Sequence, residues 1–177
     1  MKKMKIDKKR LGTIVHYIIV VCEYIVVIFL AIWLNIVLKF PSLSSFLFKV
    51  FGSTLAAFGL FLTVWSCWLQ FKIGQGTTGF SEPTKKLVTY RLYGIVRNSM
   101  MLGQFLFLAG LGFLLDLVAM FLILPILILF MHLFIIFIEE PNLKSRFGKD
   151  WENYVRKVPR WFPSLGRNKS DKNAKYS

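Results

Sequence analysis

Charge is scarce in this chain, and acid is scarcer still. Asp, Glu, Lys and Arg make up 18% of its 177 residues, against about 25% in soluble domains. Nine residues are acidic and 23 are basic. The deficit sits in long apolar runs, which excludes an ordinary water-soluble globule. There are two cysteines, Cys22 and Cys67, without CxxC spacing. That rules out a zinc-finger or dithiol framework, and both thiols fall in predicted membrane helices as inert side chains. The two histidines, His16 and His132, belong to no metal-ligand pattern. No HExxH, P-loop, Rossmann or Ser-His-Asp signature is present. Gly110-Leu111-Gly112 is a GxG in outline only, and helix packing is its default explanation.

What the chain does have is hydrophobic length. Apolar residues make up 55% and aromatics 16%. A basic tail over residues 1–13 carries Lys2, Lys3, Lys5, Lys8, Lys9 and Arg10 against Asp7. An apolar run of about 25 residues follows, longer than a signal-peptide core, and reads as a retained first helix over 13–38. It carries Glu23, an expensive group in a membrane helix. Glu23 lies nearly on the face of His16. A second helix is predicted over 46–71, with Gly52, Ala56, Ala57 and Gly59 forming a side for close packing. Trp65 and Trp68 sit near its end as interfacial aromatics.

Residues 72–98 form the longest connection, broken by Gly74, Gly76, Gly79 and Pro83. A third helix over 99–115 and a fourth over 117–138 form a hairpin around a tight reversal at 112–117. Pro125 is expected to kink the fourth. Ten Lys or Arg follow Glu140, whereas the opposite connections hold only Lys39 and Lys49. The expectation is an all-α, multi-pass membrane protein with four transmembrane helices and both termini cytoplasmic, placed in a prokaryotic cell membrane. Beyond Pro141, apolar residues at three- to four-residue spacing predict a C-terminal amphipathic cytoplasmic helical segment, broken near Gly148. It extends with the hairpin to residue 163. Residues 164–177 are polar and expected to be disordered. The basic tail suits anionic headgroups better than nucleic acid, since no folded basic surface accompanies it.

Polar groups converge at one level. His132 lies about two helical turns before Glu139, and Glu139-Glu140 end the apolar run. Arg97-Asn98 open the third helix at the same height. The arrangement is either a membrane boundary in which Arg97 neutralises two acids, or a site where a charged ligand meets a membrane-borne one.

These residues resemble the isoprenylcysteine carboxyl methyltransferase and phospholipid methyltransferase group. The resemblance rests on Gly76-Thr77, Pro83-Thr84-Lys85-Lys86-Leu87-Val88, Tyr93, Arg97-Asn98-Ser99-Met100 and Gly103. It continues through His132, Glu139-Glu140-Pro141, Leu143, Phe147-Gly148, Trp151, Tyr154, Val158-Pro159-Arg160 and Pro163. It spans about residues 74–163. Three positions depart from the group's pattern. Ser99 stands where the group has proline, Arg91-Leu92 where it has Gly-Pro, and Thr78-Gly79 where proline is frequent.

The resemblance implies S-adenosylmethionine as methyl donor and a lipophilic acceptor drawn from the membrane, such as an isoprenylcysteine-like carboxylate or a phospholipid amine. It implies that Tyr93, Arg97, Asn98 and Gly103 shape the cofactor pocket and that His132, Glu139 and Glu140 line it. Phe147, Trp151 and Tyr154 would enclose it. Arg97 and Glu140 are then the candidate catalytic residues. Two other classes stand beside this one. A sterol-reductase-like NADPH enzyme shares the layout, but its acid after the glycine is Gln104 here. A non-enzymatic relative is the third.

Overall fold

A computed structural model gives the fold. It describes residues 8–42, 45–76 and 84–163, with side chains from residue 18 onward. Most of the basic tail, the side chain of His16, Thr77 to Pro83 and the whole of 164–177 lie outside the described residues. All regular structure among those described is helical.

Two long helices come first, α1 (Lys8–Val37) and α2 (Phe46–Lys72). Ser45 caps α2 by accepting the Phe48 N–H at 3.2 Å. A short 3₁₀ turn, Arg91–Gly94, precedes α3 (Ser99–Leu114). Then α4 (Met120–Phe134) passes through a π-helical segment, Ile135–Glu139, into α5 (Glu140–Phe147). Gly148, with φ at 51°, breaks the chain before α6 (Lys149–Lys157). That φ strains any side chain, which is why glycine fits the break.

Helices α2 and α3 are the most intimate pair. Their backbones approach so closely that a Cβ on Gly52 would lie 2.7 Å from the Leu114 nitrogen. One on Gly103 would lie 2.7 Å from Thr63 Oγ1. Without a water-driven hydrophobic effect in lipid, such bare surfaces let dispersion hold helices together. The expected small-residue side of α2 is thus filled by α3.

At one end of the bundle, Asn35 of α1 donates to the Asp116 carbonyl at 3.3 Å and accepts the Ala119 N–H at 3.1 Å. The end of α1 is thereby fixed to the α3–α4 turn. Ala31, fully buried, shares a core there with Leu108, Leu117, Met120 and Leu124. The start of α1, the end of α2 and the start of α3 therefore lie toward the opposite end, where α4 and α5 also arrive. Outward faces are apolar, with Phe29, Ile36 and Val64 well exposed. Surfaces of that kind suit lipid rather than water.

Two expectations are corrected. Among the described residues three helical stretches, not four, are long and apolar enough to cross a membrane: Ile18–Val37, Phe46–Lys72 and Met120–Phe147. The 16 residues of α3 extend about 24 Å at 1.5 Å per residue, short of a ~30 Å hydrocarbon core. Instead α3 lies along α2. Nor, among the described residues, does a separate C-terminal amphipathic cytoplasmic segment follow the last span. Helix runs on through Pro141 to Phe147 as one stretch of 28 residues. The π turn explains this, since Glu140 N–H reaches back to the Ile135 carbonyl. That wider spacing accommodates the missing donor of the next residue, proline. The apolar residues Trp151 and Tyr154 of α6 are buried within the protein, not laid on a lipid surface.

Candidate functional site

The site end is assembled from three segments distant in sequence. Residues 158–161, after α6, cross the start of α3. The Arg97 N–H donates to the Pro159 carbonyl at 2.9 Å, and the Asn98 N–H to the Arg160 carbonyl at 3.2 Å. Two helix-start donors that α3 itself cannot satisfy are thus met by a remote strand of backbone.

Beneath this crossing lies a three-member charge cluster. Glu140 Oε1 accepts from Arg97 Nη1 at 3.0 Å and from Arg160 Nε at 2.8 Å. Its Oε2 accepts from Arg160 Nη2 at 3.0 Å. Arg160 therefore binds the carboxylate as a fork, the geometry that guanidinium favours. The Arg97 side chain is 8% exposed and Glu140 19%, so the pairing is largely screened from solvent. Burial pulls the Arg97 guanidinium below its ordinary range, and Glu140 opposes that shift. The hydrogen bonds that Arg160 donates to Glu140 raise the Arg160 guanidinium. The Arg97 guanidinium also lies over the Trp151 ring, 5.5 Å from its centroid.

Aromatic residues form the surround. Trp151 meets Tyr154 edge-on at 5.7 Å. Both pack with Val158, and Phe147, Leu143 and Leu87 lie against them. The Tyr154 hydroxyl donates to the Tyr93 carbonyl at 2.7 Å. Tyr93 is itself buried beside Leu69 and Val88, which raises its phenol to about 12. Burial raises Tyr154 likewise. On α4, His132 Nδ1 accepts from the Trp161 indole at 2.9 Å.

These contacts bring together Tyr93, Arg97, Asn98, Glu140, Trp151 and Tyr154, with Phe147 on the rim and His132 reached through Trp161. Glu139 adjoins Glu140 within the π segment. Gly103 is elsewhere: it lies in the α2–α3 contact, against Thr63 and Gly59. The sequence reading gave no role to Arg160 or Trp161. Their only signal was membership of a Val-Pro-Arg-Trp run at a fixed distance from Glu140.

Three buried side-chain atoms among the described residues have no hydrogen-bond partner: Arg97 Nε, Asn98 Nδ2 and Glu139 Oε2. The first belongs to the charge cluster, and the other two belong to residues next in sequence to its members Arg97 and Glu140. An open apolar cleft on α2, lined by Phe61, Val64, Trp65 and Trp68, has no polar lining and suits hydrocarbon rather than a polar ligand.

Set against known families, the chain matches the one described as phospholipid methyltransferase over residues 47–150, more than half its length. That match runs from α2 to the start of α6. No individual curated protein and no solved structure gives a significant match.

Proposed function

The chain belongs to the phospholipid methyltransferase family, and from that membership we propose that the cluster around Glu139, Arg97 and Asn98 is where it holds its methyl donor. The enzyme transfers methyl groups from S-adenosylmethionine to a lipophilic, membrane-associated acceptor. Its α-helical, membrane-spanning build is consistent with an acceptor that never leaves the lipid phase.

The observation that carries the assignment is the trio of unpartnered buried atoms. Leaving such atoms without a partner costs about 1–3 kcal/mol each, so their occurrence on and beside the paired residues Arg97 and Glu140 favours a polar ligand there. Arg97 and Asn98 offer donors, which fit the cofactor's carboxylate. Glu139 offers an acceptor, which fits its ammonium or hydroxyl groups and favours the neighbouring sulfonium charge. Arg97, Asn98 and Glu139 thus fit both signs of the zwitterionic end.

Glu140 has a different part in this reading. Arg97 and Arg160 already occupy both its oxygens, so it orients Arg97 rather than contacting ligand. Trp151 and Tyr154 close the polar end off from solvent. Bound S-adenosylmethionine supplies an electrophilic methyl group, so the chain needs no nucleophile of its own. What it must supply is alignment of donor and acceptor and exclusion of water. His132, held by Trp161, borders the acceptor side. The site-bearing end carries Lys85, Lys86, Arg91, Lys144, Arg146, Lys149, Arg156, Lys157 and Arg160, which favours placing it, with the start of α1, on the cytoplasmic side.

Calorimetry of the intact protein in detergent with S-adenosylhomocysteine tests the site. Binding by the wild type that falls at least tenfold in Glu139→Gln, with unchanged melting, is the expected result. Wild-type affinity in that variant would sink the assignment. Incubation with radiolabelled S-adenosylmethionine and a total lipid extract identifies the acceptor by what carries label.

A further inference from the structure

We infer that Ser66, a residue of α2 outside every motif described above, is a positioning residue for the cofactor-holding end of α3; the inference rests on the site proposed in the preceding section. Ser66 is completely buried, and its hydroxyl donates to Ser99 Oγ at 3.1 Å. Ser99 is 4% exposed. The Ser99 hydroxyl also meets the Tyr93 side chain, which Gln70 of α2 bonds as well. The Tyr93 carbonyl in turn receives the Tyr154 hydroxyl, and Tyr154 abuts Trp151, which lies under Arg97. A continuous path of buried hydrogen bonds and ring contacts therefore leads from the last third of α2 to Arg97.

Ser99 directly follows Arg97 and Asn98, two of the residues with unpartnered buried atoms. It is the first residue of α3, where no intrahelical bond holds the backbone nitrogen. Position there must come from outside the helix. Residues 159 and 160 hold the two preceding nitrogens, and Ser66 holds the side chain of the third residue. α2 is a fitting anchor because close packing at Gly59 and Gly103 fixes it to α3 one to two turns away. A buried hydroxyl pair is also directional, unlike apolar packing, so it sets the rotation of the α3 start and with it the aim of Arg97 and Asn98.

Ser66→Ala removes one buried hydrogen bond while leaving the fold's apolar contacts in place. S-adenosylhomocysteine binding by the intact protein should weaken roughly three- to tenfold, the range a single such bond supports. Labelled methyl transfer to a total lipid extract at saturating cofactor should stay within about twofold, because an interaction lost equally in ground and transition states moves KM and not kcat. In a Ser99→Ala background, Ser66→Ala should add nothing further, since the two residues act as one unit. Unchanged affinity in Ser66→Ala alongside lost affinity in Glu139→Gln overturns the role of Ser66 and leaves the site standing. Equal losses from Ser66→Ala in the wild-type and Ser99→Ala backgrounds also overturn it, by showing that Ser66 acts through packing alone. Wild-type affinity in Glu139→Gln removes the site itself, and the inference with it.

Discussion

Arg160 grips Glu140 across twenty residues of sequence, with Nε on one carboxylate oxygen at 2.8 Å and Nη2 on the other at 3.0 Å. Arg97 completes the set from the start of α3. Glu140→Ala therefore strands a nearly buried guanidinium. The expected loss is about 3 kcal/mol of stability, read as a lower unfolding midpoint in detergent. Glu140→Gln keeps one carbonyl acceptor and should lose less. Equal midpoints for the Ala variant and the wild type would show that the cluster contributes nothing to stability.

The indole of Trp161 donates to His132 and its ring lies 5.9 Å from that of Phe105. Trp161→Phe keeps an aromatic ring and loses the donor. It should cost about 1 kcal/mol. His132→Leu should cost a similar amount, and the double variant little more than either alone. Simple addition of the two losses would mean that the pair is not coupled.

Arg91 sits at φ 57°, a left-handed conformation that costs a residue with a Cβ about 1–2 kcal/mol. Arg91→Gly relieves that cost and loosens the unfolded chain, two opposed effects of similar size. The net should be a small gain in melting temperature, whereas Arg91→Ala should show none. A clear loss in the glycine variant would point to an undetected task for the Arg91 side chain.

Alkaline pH should loosen the site end. Burial lifts Tyr93 from its ordinary 10.0 to about 12 and raises Tyr154 as well. Between those pH values the unfolded chain releases tyrosine protons that the folded chain retains. The unfolded state then binds fewer protons, so unfolding free energy falls as pH rises through that window. The contribution is fully present below the ordinary tyrosine value of 10.0. A pH series of unfolding midpoints checks this, and Tyr154→Phe should flatten the decline. An unchanged slope in that variant would remove Tyr154 from the account.

Much of the architecture was legible in the sequence. The first two helices follow from apolar runs long enough to leave no other reading; three of their four ends match to within one residue, and the first helix begins five residues earlier than expected. The meeting of Arg97 with Glu140 follows from antiparallel helices sharing a level. The misreadings have physical reasons. Hydropathy marked α3 as a span, but its length falls short and its bare glycine side commits it to α2. Pro141 looked like a helix end, because a π turn leaves no mark in composition. Gly103 packs against Thr63 and Gly59, and a glycine needed for close helix approach is indistinguishable in sequence from one needed for a cofactor. Ten basic residues follow Glu140, and nothing in their pattern says that Arg160 turns inward.

The crossing of residues 159 and 160 over the nitrogens of Arg97 and Asn98 has a consequence for biosynthesis. Translation delivers the α2–α3 pair long before it delivers the backbone that satisfies the start of α3. Until residue 161 has left the ribosome, Glu140 has only one of its arginines and His132 lacks its indole. The nascent chain can enter the bilayer and pack its helices, yet its polar end still lacks the contacts made by residues 159–161. On the site proposed above, competence for methyl transfer thus waits for residues 159–161, well after the helices that frame the site have been made.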